Sequence, residues 1–396
     1  MTTPALAGIR VLDCTRMLAG PYASMLLADL GADVVKVEDP DGGDPIRRMG
    51  PPWQGGESAY FLGVNRGKRS VTLDLRTDEG RRLVRELVAE CDVVLDNFRA
   101  GVTGRLGLSP EECRAVRPDV VTCSITAFGG DGPYRDLPAF DLVLQALGGG
   151  MSVTGPAGGA PTRMGLPVGD LAGGLFAAFA VSAALAARNG GAGGRHVDLA
   201  LLDVQVSLLT YLAQYHWADG RVPRPQGSAH ETVVPYDAFV AGDGRSVVVA
   251  VFTERFWAPF CAALDVKGLA ERYPTAGARL EARGALTTEL AARFAECPAE
   301  HWLARLRAAG VPAAPVHTVA DVLVDPQVRA RGMVAETSRP HPRAGIHRVL
   351  GDPVHDGAPR TYPPAPLLGE HTDEVLGGLL GHGPDEIARW RGAGVV

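Results

Sequence analysis

The chain has 396 residues and a formal charge of −6, with 46 % apolar and 21 % charged residues. At about 150 residues per domain, that length predicts roughly two to three domains with room for a sizeable core. An acidic balance without a basic stripe excludes a general nucleic-acid binder, so an anionic ligand has to be met by local positive charge. Glycine (50) and proline (30) make up about a fifth of the sequence, which predicts many turns but not disorder. The six cysteines contain no C-x-x-C pair, so neither a zinc ribbon nor a thioredoxin-like motif is present. They read as buried thiols in a reducing compartment. The N-terminal residues lack a basic segment followed by an apolar one, which points to a cytoplasmic protein. The most apolar run, Leu171 to Ala187, is rich in Ala and Gly and reads as a buried core helix rather than a membrane span.

The first 130 residues alternate strands and helices. Ile9–Leu12 is a short strand, and Gly20-Pro21 opens a helix ending near Gly31. Ala32–Val37, Ser70–Leu75, Asp92–Asp96 and Val120–Ile125 are further strands. Thr77–Ala89 is an amphipathic helix, with Thr77 as N-cap and Asp78 and Glu79 in its first turn. The strands are continuous apolar runs, as expected where both faces are buried, and predict a doubly wound α/β fold with a mostly parallel sheet. A glycine-rich loop runs from Gly148 to Gly169, followed by Asp170 and the Ala-rich helix. Val197–Gln214 reads as strand then helix, and Arg221–Gln226 as a linker. Beyond it, residues 227–320 predict a smaller α+β domain, and near Asp325 the chain returns to the first domain.

No dinucleotide fingerprint, P-loop or G-x-S-x-G elbow is present. Ligands of open parallel sheets gather at the carboxyl ends of strands. There the sequence places Thr15–Gly20, Glu38–Asp44, Asn97–Arg99 and Ala127–Gly132. Arginines cluster in the same loops, and each taken singly reads as surface charge; together they suit phosphate. Asp170 admits two roles. It can cap the helix that follows. It can also act as a nucleophile, its ionised form favoured by the helix N-terminus, with neighbouring glycine amides stabilising an oxyanion. His317, His341 and His371 lack metal-ligand spacing. Asp141 reads as a helix-start residue.

Several segments in fixed order carry a resemblance. They are Leu12-Asp13 … Ala19-Gly20-Pro21, Leu30-Gly31-Ala32-Asp33-Val34-Val35-Lys36-Val37-Glu38, Gly43-Asp44-Pro45 and Asn65-Arg66-Gly67-Lys68-Arg69-Ser70. Leu73-Asp74-Leu75, Asp96-Asn97-Phe98-Arg99 and Ala365–Thr372 follow. In these the chain resembles the class III (CaiB/BaiF) CoA-transferases, a family that includes formyl-CoA transferase, carnitine CoA-transferase and α-methylacyl-CoA racemase. The resemblance runs nearly end to end. It implies a large Rossmann-like domain built from both chain ends (1–220 and 325–396), a small domain between them (227–320), and an interlocked homodimer. It implies Asp170 as the catalytic nucleophile. By the same match Leu18, Ala19, Leu73, Asp74, Leu75, Arg76, Asn97, Phe98, Arg99, Arg105, Ala139, Phe140 and Asp141 line the CoA site. Acyl-CoA is then a substrate rather than a resident cofactor, and neither ATP nor a metal is required.

Two departures narrow the activity. Racemase members carry a histidine where this chain has Phe140, so one of two acid–base partners is absent and racemisation is the disfavoured alternative. Formyl-CoA transferase has a glutamine where Leu18 stands and a tetraglycine loop where this chain reads Gly227-Ser228-Ala229-His230. That stretch, with Val234-Pro235-Tyr236 and Gly50-Pro51-Pro52-Trp53, is most similar to the dicarboxylate branch, such as succinyl-CoA:glutarate transferases. Arg47, Arg48 and His230 are the candidates for the substrate's distal carboxylate.

Overall fold

The structure is a computed structural model and describes residues 3–396. It divides into two compact units, one comprising residues up to Gly150, Met164–Tyr215 and Gln327–Val396, the other Met151–Arg163 and His216–Pro326.

The first unit is built on six strands: β1 (Arg10–Asp13), β2 (Asp33–Glu38), β3 (Lys68–Thr72), β4 (Val93–Asp96), β5 (Val121–Thr126) and β6 (His196–Ala200). Their order across the sheet is β3-β2-β1-β4-β5-β6, and every neighbouring pair is parallel. Leu12 stands opposite Val35 on one side and Val94 on the other, so the middle of the sheet is aliphatic. Parallel pairing requires crossovers, and helices supply them: α1 (Ala19–Asp29), α2 (Asp78–Glu90), α3 (Asp141–Leu147) and α4 (Val168–Ala187), while α5 (Leu201–Ser207) follows the last strand. The Thr77 hydroxyl accepts the Gly80 N–H at 3.0 Å and starts α2.

One sequence expectation shifts here. The strand read as Ser70–Leu75 spans Lys68–Thr72, and residues 73–75 leave the sheet instead. The Leu73 N–H still donates to Glu38 O, but that of Asp74 donates to Val395 O at 2.7 Å. The chain terminus therefore competes for the strand's end. Val375, Leu376, Ile387, Trp390 and Val396 pack with Val37, Leu73 and Leu87 into one core, which joins the two ends of the sequence.

Helix α4 is apolar enough, by length and composition, to pass for a membrane span as far as Ala192. Its small residues have a packing reason. A Cβ on Gly174 would stand 2.6 Å from Ala19 O, and one on Gly173 would stand 2.1 Å from Leu201. Glycine there lets α4 lie directly against the starts of α1 and α5.

The second unit holds an antiparallel sheet of β7 (Tyr236–Val240), β8 (Ser246–Ala250) and β9 (Ala313–Pro315), in the order β9-β8-β7. Helices α6 (Trp257–Leu264), α7 (Arg283–Phe294) and α8 (Ala299–Ala308) cover it. Its core stacks Phe239 on Phe294 and sets Trp302 against Phe294.

Candidate active site

The site of the first unit begins with the turn after β1. Asp13 and Lys68 meet at 3.1 Å and Lys36 and Asp44 at 3.0 Å, all four side chains being wholly buried. Buried ion pairs are costly unless their remaining valences are filled. Here the backbone of the turn fills several of them, and Ser24, Asn65 and Pro21 O take others. Asp13 accepts the Thr15 N–H at 2.9 Å, Lys36 Nζ donates to Thr15 O at 2.7 Å, and Asp44 accepts the Met17 N–H at 3.1 Å. The network holds Met17 at φ 69°, a left-handed conformation rare for a non-glycine residue. That turn aims Leu18 and Ala19 at a cavity.

Asp170 enters the cavity from α4. Of the two roles the sequence left open, the cap of its own helix is not the one adopted: α4 starts two residues earlier, at Val168, and Asp170 lies in the first turn. The cap comes from Asp141, 29 residues back. Its Oδ1 accepts the N–H groups of Gly169 at 2.8 Å and Asp170 at 3.3 Å. The Gly169 amide is thereby occupied and is no oxyanion donor. A Cβ on Gly169 would lie 2.4 Å from Gln205 Nε2 and 2.8 Å from Asp141 Oδ1, so a side chain there would push both of those groups aside.

The charge of Asp170 also differs from expectation. A helix N-terminus alone lowers a carboxyl pKa. Burial, followed by the like charge of Asp141, instead raises that of Asp170 from 3.8 to about 6. Both effects act on the same carboxylate and outweigh the weak helix field.

The cavity that Asp170 faces has a volume of about 390 Å³. Leu18, Ala19, Asn97, Phe98, Arg99, Arg105, Ala139 and Phe140 line it. A second cavity of about 340 Å³ lies at the ends of β1 and β2 and is lined by Leu73, Asp74, Leu75, Arg76 and Phe98. Phe98 and Val102 are common to both. The Asn97 amide exchanges two hydrogen bonds with the Arg16 backbone (2.8 and 2.6 Å), and the Arg16 guanidinium lies 4.9 Å over the Phe98 ring. Arg99 and Arg105 are exposed and form no ion pair among the described residues. Arg76 is held by Asp74 at 2.7 Å and Asp39 at 3.4 Å.

Four residues singled out in the sequence stand elsewhere. Asp141 sits behind Asp170 rather than on the cavity wall. Arg47 lies 2.6 Å from Glu38, stacks 3.6 Å over the Phe61 ring and donates to Pro366 O, so it lines neither cavity. Arg48 is exposed and also lines neither. His230 belongs to the second unit, where its Nδ1 accepts the Thr232 N–H at 3.1 Å and its ring meets Tyr236 and Phe252 edge-on. Conversely, Tyr60 and Arg135 line the larger cavity without having been singled out. The Tyr60 hydroxyl is pushed up to about 12 by burial and by the charges of Asp170, Asp44 and Asp141. No motif marks Tyr60; only tertiary packing brings it to the cavity that Asp170 faces. Among the described residues no cluster of three or more His, Cys, Asp or Glu is arranged to hold a metal ion.

A parallel α/β sheet with a carboxylate and unpaired arginines at its carboxyl edge defines an enzyme that handles an anionic substrate. The chain belongs to CoA-transferase family III, whose sequence model matches residues 6–372. It is 43 % identical over 383 residues to a succinyl-CoA:mesaconate CoA-transferase of Haloarcula hispanica, covering 94 % of this chain and 96 % of that one. It is 38 % identical over 395 residues to the succinyl-CoA:glutarate CoA-transferase of Mus musculus, covering 99 % and 90 %. Among solved structures, a CaiB/BaiF family protein from Brucella suis superposes with a TM-score of 0.86 at 37 % identity, covering 96 % of this chain and 100 % of that one. The protein is therefore a class III CoA-transferase with the mixed α/β fold of that family.

Proposed function

We propose that the enzyme moves CoA from succinyl-CoA to a short dicarboxylate through covalent chemistry on Asp170. The observation that carries this reading is the setting of Asp170: a largely buried carboxylate, raised to about 6, inside the cavity that also presents Asn97, Phe98, Arg99 and Arg105. Such a group is ionised at neutral pH yet more basic than an exposed aspartate, which favours attack on an acyl carbon.

In the proposed cycle an Asp170 oxygen attacks the thioester carbonyl of the donor. The C–S bond breaks, leaving a mixed anhydride and CoA thiolate. The thiolate attacks the aspartyl carbonyl and expels the donor acid as its carboxylate, which leaves an aspartyl-CoA thioester. The acceptor carboxylate attacks that thioester and releases thiolate again with a second anhydride. Attack of thiolate on the acceptor's carbonyl forms the new acyl-CoA and frees Asp170. Each step exchanges one activated acyl bond for another, so no nucleotide is consumed. The second cavity offers apolar walls from Leu73, Leu75 and Phe98 for adenine, and Arg76, Arg99 and Arg105 offer charge for the phosphates.

The dicarboxylate specificity is supported by relatives whose names pair succinyl-CoA with mesaconate or glutarate. Arg48 and His230 stay the candidates for the distal carboxylate, since Arg47 is already bonded to Glu38. The proposed assembly is an interlocked cytoplasmic homodimer, with large-domain segments 1–220 and 325–396 and a small domain over 227–320. Apolar side chains left exposed at α3 and α4, among them Phe140, Leu142, Leu175 and Phe179, support a covering partner chain.

The test is acyl-CoA exchange followed by mass spectrometry. Purified enzyme receives succinyl-CoA and a panel of carboxylic acids without ATP or metal. New acyl-CoA with dicarboxylates, absent from Asp170→Ala, is the expected result. Silence across the panel, with loss of α-deuterium from a branched acyl-CoA, would instead favour a racemase.

A further inference from the structure

Gln145 lies on α3, one turn after Asp141, and is wholly buried. Its Oε1 accepts the Met164 N–H at 2.9 Å. That bond fixes which way the amide faces, because only the oxygen can accept. Nε2 then faces Asp141 and donates to Oδ2 at 2.6 Å. The other oxygen of the same carboxylate holds the Gly169 and Asp170 N–H groups. One side-chain amide thus ties the backbone that leads into α4 to the carboxylate that caps it.

From this geometry we propose that Gln145 is a positioning residue for CoA transfer, acting through Asp141 to fix the first turn of α4 and hence the carboxylate of Asp170. The inference rests on the reading of Asp170 as the nucleophile. Gln145 itself lines neither cavity, so it touches no substrate. Its effect belongs in the covalent step and not in acyl-CoA binding. Without the amide donor, Asp141 Oδ2 loses its partner and the carboxylate is free to turn away from the two N–H groups. A misplacement of about 1 Å at a nucleophile costs on the order of 100-fold in rate.

Two variants separate positioning from mere support. In Gln145→Leu, rapid-quench measurement with succinyl-CoA should show covalent labelling of Asp170 slowed about 10- to 100-fold. Equilibrium binding of acyl-CoA should change less than about twofold, because both cavities are intact. Gln145→Glu keeps the shape and carries a donor only while its new carboxyl is protonated. The titratable groups facing Asp141 are Asp170 and Tyr60, and the Gln205 amide lies close by. A second ionised carboxyl is unwelcome there. Gln145→Glu should therefore transfer CoA best just above the acid limb that Asp170 sets at about 6, and lose activity as pH rises further, a basic limb that the wild type lacks. Labelling of Asp170 at the wild-type rate in Gln145→Leu would overturn the inference, as would a wild-type pH profile in Gln145→Glu. If Gln145→Leu does not fold, the profile of Gln145→Glu decides alone. A wild type that transfers CoA with no label on Asp170 would overturn the nucleophile reading, and the inference with it.

Discussion

Replacing Asp141 by asparagine removes a charge from beside Asp170 while keeping nearly the same shape. The Asp170 carboxyl stands at about 6 against an ordinary 3.8, with burial the larger cause and Asp141 the second. The displacement is about two pH units, and the smaller cause accounts for less than half of it, or up to about one unit. The acid limb of kcat should accordingly fall from about 6 towards about 5 in Asp141→Asn. The asparagine oxygen can still accept the Gly169 and Asp170 N–H groups. Its NH₂ would then face Gln145 Nε2, now 2.6 Å from Asp141 Oδ2, and Gln145 cannot flip because its Oε1 is held by the Met164 N–H. Two donors facing each other in a buried place should cost about 1–3 kcal/mol of stability. The assay is kcat against pH from 4.5 to 8 at saturating substrates (roughly the window in which the carboxyl titrates), beside thermal melts. An acid limb that stays in place or rises would refute the electrostatic account of Asp170.

Gly169→Ala should destabilise by about 1–3 kcal/mol and reduce kcat, because its Cβ would lie 2.4 Å from Gln205 Nε2 and 2.8 Å from Asp141 Oδ1; melting curves and steady-state rates check this. Lys36→Met should cost about 3–5 kcal/mol in urea unfolding, since it strips a partner from the buried Asp44 and from Thr15 O. Burial pushes the Asp13 carboxyl up, but Lys68, Lys36 and two hydroxyls outweigh it and bring it to about 2. A depressed acid stabilises the fold above its unfolded pKa and loses that contribution as pH falls through the folded value. About 2 kcal/mol should therefore disappear between roughly pH 4 and pH 2, and a denaturation series of wild type against Asp13→Asn measures it.

What the sequence discloses follows from what is local. The strands of the parallel sheet are legible because both faces are buried and runs of apolar residues fill most of their length, as in Val93–Leu95. Thr77 is legible as a cap because its bond reaches only three residues ahead. Asp170 is singled out by its place after a glycine-rich loop and by family likeness, but its charge state is not legible. That depends on burial and on Asp141, which approaches only when α3 packs beside α4. The pairing of Arg47 is hidden for the same reason. Among several loop arginines nothing local says that Glu38, nine residues back, will hold this one. Tyr60 and Arg135 carry no periodic or motif signal, and only tertiary structure brings them to the cavity.

Whether Asp170 carries CoA covalently can be read by quenching wild-type enzyme during turnover with succinyl-CoA and analysing the peptide that contains Asp170 by mass spectrometry. The expected result is a CoA thioester on that residue, consumed when an acceptor dicarboxylate is added and absent from Asp170→Ala. Continued transfer by Asp170→Ala, or wild-type turnover with that peptide always unmodified, would contradict it.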